Sequence, residues 1–99
     1  MKDEEKTEIL LEAINVYGLS NQLLVLSEEC SEVIKEIMKI KRWHKTSDKW
    51  QSLIEEIADL DVVLDQFKLI YIDDILEAKD KKMERLKGRL QEQKGNYLC

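Results

Sequence analysis

Apolar residues recur every three or four positions along almost the whole chain, the period of a helix that buries one face. Ile9, Leu10, Ala13, Ile14 and Tyr17 form the first stripe and predict a helix from about Asp3 to Tyr17. Asp3, Glu4 and Glu5 suit the positive end of its dipole, and Gly18 is a natural stop. Ser20 or Asn21 can cap a second helix, whose stripe is Leu23, Leu26, Cys30, Val33, Ile37 and Ile40. Lys39, Lys41 and Arg42 favour its C-terminus. Trp43 to Lys49 reads as a loop, with Thr46 or Ser47 as the next cap. The third stripe is Trp50, Leu53, Ile57, Leu60, Leu64, Phe67 and Tyr71. Asp73 or Asp74 caps a fourth helix carrying Leu76, Met83, Leu86 and Leu90, and Gln91 to Cys99 reads as a frayed tail.

Composition strengthens the helical reading. The chain has 99 residues, no proline and only three glycines, so the usual helix breakers are almost absent. An all-α single domain over 1–99, with its core at about 18–90, is the expected fold class. Leu24, Val25, Ile34 and Met38 widen the apolar surface of the second helix, and Ile54, Val62, Val63 and Ile70 that of the third. A chain this short cannot cover so much apolar surface alone, so self-association is expected.

Charge and cysteine content narrow the partners. A net charge of −5 argues against nucleic acid held by phosphate neutralisation. It leaves room for a small phosphorylated ligand, because a divalent cation reverses the local sign. No apolar run has the length of a membrane span, and Met1-Lys2-Asp3-Glu4-Glu5 is too acidic for a signal or transit peptide. Cys30 and Cys99 suggest no disulfide framework, and a reducing cytoplasm is the expected location.

The candidate chemistry lies between Glu28 and Asp59. Glu29/Glu32 and Glu56/Asp59 are acid-x-x-acid pairs with 23 residues between them. Residues three apart share a helix face, so each pair projects as a unit. Each acid immediately precedes a residue of its stripe: Cys30 and Val33 on one helix, Ile57 and Leu60 on the other. Both pairs are therefore expected about 100° off their seams in the same sense. Glu29 and Asp59, like Glu32 and Glu56, mirror each other about residue 44. An antiparallel hairpin turning near His44 would gather all four carboxylates on one side at one height. Four such groups repel one another unless a cation joins them. Oxygen ligands without a histidine or thiolate pair select Mg²⁺, with Mn²⁺ as a substitute. The best-matched chemistry is hydrolysis of a nucleotide phosphoanhydride.

Basic residues for a phosphorylated ligand are found on the fourth helix, where Lys82, Arg85 and Arg89 precede Met83, Leu86 and Leu90. Arg85 can hold phosphate oxygens bidentately and Lys82 as a point charge. Trp43 can stack a base, and Gln22, about two turns before Glu29, can reach a sugar or base edge. Cys30 reads as a small core residue. Asp61 and Asp65 read as structural.

Ser27-Glu28-Glu29-Cys30-Ser31-Glu32-Val33 and Ile54-Glu55-Glu56-Ile57-Ala58-Asp59-Leu60, at this separation, resemble the signature of the MazG-like all-α nucleoside triphosphate pyrophosphohydrolases. The short form is similar to members found in phages and prophages. The resemblance spans roughly Gly18 to Leu90. It implies a four-helix MazG-like bundle completed by oligomerisation as a homodimer or homotetramer. It also implies Mg²⁺-dependent cleavage of NTP or dNTP to the monophosphate and pyrophosphate. Carried over residue by residue, Glu29, Glu32, Glu56 and Asp59 would be the catalytic metal ligands. A metal-activated water would be the nucleophile, deprotonated with help from one of these glutamates or from Glu28 or Glu55. The related phosphoribosyl-ATP pyrophosphohydrolases tend to carry Tyr-His soon after the aspartate, where this chain has Asp61-Val62-Val63-Leu64. Ferritin-like di-iron proteins need Glu-x-x-His, whereas His44 falls in the expected loop. The alternative from a different class is a catalytically inactive nucleotide-binding or helical protein-interaction module, which has no reason to keep a level-matched acidic quartet.

Overall fold

A computed structural model describes residues 1–42 and 47–98. Among these residues the protein is all-helical: α1 (Asp3–Tyr17), α2 (Leu19–Arg42), α3 (Ser47–Ile70) and α4 (Ile72–Leu98). The expected loop residues Trp43, His44, Lys45 and Thr46 lie outside the described residues. The chain divides into two compact units, Met1–Leu69 and Ile70–Cys99.

In the first unit, α1 begins with three acids in its first turn, as dipole complementarity requires. It ends at Gly18, whose φ of 87° and ψ of 148° fall in a region that is essentially glycine-only. The Gly18 amide donates to the Ile14 carbonyl at 2.8 Å, closing the last turn. The chain then bends by 109° into α2. Asn21 does not cap α2 as expected. It lies inside the first turn, and its Nδ2 donates back to the Tyr17 carbonyl at 2.7 Å. Ser20 is likewise inside α2, because Gly18 alone makes the corner and the helix restarts at Leu19. Ser47, expected as a cap, and 48–49, expected as loop, are already helical in α3.

Two contacts fix α2 and α3 as antiparallel. Gln22 near the start of α2 donates from Nε2 to Gln66 Oε1 near the end of α3 at 2.6 Å. Glu29 meets Glu56 and Asp59 further along. The mirror about residue 44 relates Gln22 to Gln66 just as it relates Glu29 to Asp59.

The rotation of the helices departs from the sequence expectation. Leu26, Val33, Ile40, Leu53, Leu60, Leu64 and Phe67 are buried or half-buried, as predicted. Leu23, Cys30, Ile37, Trp50, Ile57 and Tyr71 are exposed. The inward side of α2 also takes in Gln22, Glu29, Glu32 and Glu36 beside Leu26, Val33 and Ile40, and that of α3 Glu56, Val63 and Gln66 beside Leu53 and Leu60. Both helices are apolar on more than one face, and periodicity selects the richer face. Within one chain about half of each predicted stripe turns outward, and polar residues take the vacated places beside Leu26, Val33, Leu53 and Leu60 on the inward side. Cys30 is therefore an exposed free thiol, not a core residue.

In the second unit, α4 opens with Asp73 and Asp74 inside its first turn, where their charge favours the helix without a cap. The Ile75 amide donates to the Tyr71 carbonyl at 2.9 Å. Gln91 does not end the regular structure: α4 continues to Leu98. Leu76, Met83, Leu86 and Leu90 are all about half exposed or more. No single helix among the described residues is long and apolar enough to cross a membrane.

Candidate metal centre

The seam described above carries the acids into mutual contact. One carboxylate oxygen from each of Glu29, Glu56 and Asp59 lies within 4.8 Å of the other two. Glu29 and Glu56 are half-buried and Asp59 is exposed, so the trio opens to solvent on one side. Glu32, the fourth expected acid, is half-buried on the same side of α2 but outside this closest group. Glu29, Glu32 and Glu56 thus sit at the seam, with Asp59 at its solvent edge.

The electrostatics register the crowding. Partial desolvation, followed by the charges of Asp59, Glu32 and Glu28, holds the Glu29 carboxyl above the usual glutamate range. Desolvation again comes first for Glu56, which is raised further by Asp59, Glu32, Glu29 and Glu36. Among the described residues no lysine or arginine pairs with Glu29, Glu56 or Asp59. Lys39 of α2 is committed to buried Glu36, with Nζ 3.1 Å from Oε1.

A hard divalent cation fits this donor set. Two oxygens on one Mg²⁺ stand at most about 4.2 Å apart, so small side-chain rotations bring the trio onto a single ion. The donors are carboxylates alone, with neither imidazole nor thiolate among them, which matches Mg²⁺ or Mn²⁺. An open side leaves room for waters and for phosphate oxygens.

The remaining expected site residues fall in different places. Gln22 is buried at 5% exposure and its amide is committed to Gln66, itself at 4%. Lys82 and Arg85 share a concave surface of α4 with Asp74, Glu77, Ala78 and Lys81. Lys81 pairs with Glu77 at 3.5 Å, whereas Lys82 and Arg85 form no ion pair among the described residues. Trp43 lies outside the described residues. Asp61 and Asp65 flank Lys68 at 4.0 and 3.7 Å, consistent with structural ion pairing.

Two seam residues escaped the sequence reading. Glu36 is buried and its charge reaches Glu56. Its signal was the continuation of the Glu29/Glu32 row by one further turn. Gln66 could have been found as the mirror of Gln22 about residue 44. Comparison of the chain with protein families, curated proteins and solved structures found no match.

Proposed function

We propose that this chain is a Mg²⁺-dependent nucleoside triphosphate pyrophosphohydrolase, converting NTP or dNTP and water to the monophosphate and pyrophosphate. The observation that carries the reading is the trio of carboxylates from two helices, within 4.8 Å of one another and unpaired by any basic side chain among the described residues. Glu29, Glu56 and Asp59 hold the cation, and Glu32, one turn from Glu29, is the fourth carboxylate of the set. The cation, when bound, supplies a water of lowered pKa and offsets charge on the phosphoryl group under attack. A glutamate beside the trio accepts the proton of that water: Glu32, or Glu28 or Glu55 at the rim. Lys82 and Arg85 bind phosphate oxygens, Arg85 as a planar fork and Lys82 as a point charge.

Self-association belongs to the same proposal. Leu23, Ile34 and Ile37 on α2, with Trp50, Ile54 and Ile57 on α3, leave an apolar surface uncovered in one chain. A homodimer or homotetramer covers it and completes the bundle.

The test is product identification from a panel of NTPs and dNTPs with Mg²⁺, beside Glu56→Gln. Monophosphate and pyrophosphate in equal amounts, lost in the variant, are expected. Release of inorganic phosphate and diphosphate would place cleavage at the wrong bond. No turnover of any nucleotide would favour the inactive binding module.

A further inference from the structure

The α2–α3 seam holds like charges face to face, and something must keep them there. Apolar contacts are non-directional and tolerate sliding. Sliding α3 along α2 by one turn in either direction takes Glu29 off the level of Asp59 and Glu32 off that of Glu56. The same slip sets Gln22 against Val62 and Val63 or against Leu69, and removes Gln66 from its only described partner. Each buried amide would then lose a hydrogen bond, at about 1–3 kcal/mol apiece. Both side chains are at least nine-tenths buried and two helical turns from Glu29 and Asp59. An amide is both donor and acceptor but carries no charge, so this pair can set register without adding to the local field.

We propose that Gln22 and Gln66 are positioning residues that lock α2 and α3 in the register bringing Glu29, Glu56 and Asp59 together. The consequence for cation binding rests on the metal-site reading; the register lock does not. A single polar layer that fixes register at some expense in stability is a known use of buried amides in helical packing.

The experiment measures register directly. Spin labels replace exposed Ser27 and Asp61, mirror positions on α2 and α3, in a Cys30→Ser, Cys99→Ser background diluted with unlabelled chain. Gln22→Met/Gln66→Met, which keeps side-chain length, removes both amides together; Gln22→Leu/Gln66→Leu is the second variant. The parent should give one narrow distance. Either double variant should retain its melting temperature while the distance broadens or shifts by about 5 Å, one helical turn. A parent-like narrow distance in a folded double variant overturns the proposal, whether or not the melting temperature falls. Mn²⁺ affinity, measured in parallel, should drop about 10- to 100-fold, the usual scale for residues that support metal ligands. A parent that binds no Mn²⁺ would overturn the metal reading alone, since the distance still decides the register lock.

Discussion

Glu56→Gln should stabilise the metal-free protein and abolish its stabilisation by divalent cations. Glu56 is crowded by Asp59, Glu32, Glu29 and Glu36, and both it and Glu29 are held above an ordinary value near 4.5. A carboxyl raised in the folded state ionises later there than in the unfolded chain. Its favourable contribution is therefore complete below about pH 4.5 and is lost as pH rises through the raised folded values. In metal-free buffer the variant should melt above the parent at pH 7.5, and the gap should close toward pH 4.5. A cation reverses the order. At a hundred times its dissociation constant it adds about 2.7 kcal/mol to the state that binds it. For a cooperative unit the size of Met1–Leu69 each kcal/mol is worth roughly 4–8 °C, so the parent should gain about 11–22 °C with Mn²⁺. Circular dichroism at the helical band, scanned across pH with and without Mn²⁺, reads both effects. A variant that melts below the parent at pH 7.5 without metal, or gains as much from Mn²⁺, would refute the reasoning.

Three further outcomes follow from other parts of the molecule. Gly18→Ala meets no atom within 4 Å of the new Cβ, so its penalty is purely conformational. The φ of 87° should make it about 1–3 kcal/mol, read as a lower midpoint in urea; an unchanged midpoint would mean the α1–α2 corner relaxes freely. Ile34→Glu with Ile57→Glu, both on the uncovered apolar surface, should convert the proposed homodimer or homotetramer to monomer in light scattering at unchanged helicity. Lys82→Ala with Arg85→Ala should raise KM more than it lowers kcat, whereas equal loss in both would assign these residues to the transition state.

Much of this architecture was legible in the residues, and what was not concerns which helix face turns inward and where the helices begin and end. Gly18 announced the α1–α2 corner because no other residue supplies that backbone conformation. The pairing level of α2 and α3 was readable from the mirror about residue 44, which a second pair, Gln22 and Gln66, independently obeys. Rotation about the helix axes was not readable. Cys30 and Ile57 belong to the more apolar stripes, yet Glu29 and Glu56 beside them face inward. Helical period alone cannot tell a seam within the chain from a surface covered by something else, and these helices carry both. Local capping chemistry was also ambiguous: Asn21 and Ser47 are good caps in isolation, but the helices begin one or more residues earlier or at the residue itself. The extent of α4 beyond Leu90 was not readable, because Gln91, Glu92, Gln93 and Lys94 carry no apolar stripe and Gly95 disfavours a helix, yet α4 runs to Leu98.

The most direct test of the central claim, that the α2–α3 seam gathers acids into a cation site, is a Mn²⁺ titration followed by electron paramagnetic resonance. The parent should show a saturable class of sites. Glu29→Gln, Glu56→Gln and Asp59→Asn should each lose it, and Glu28→Gln and Glu55→Gln, exposed acids outside the close trio, should keep it. Equal, unsaturable binding in all six proteins would reduce the trio to a patch of surface charge and contradict the claim.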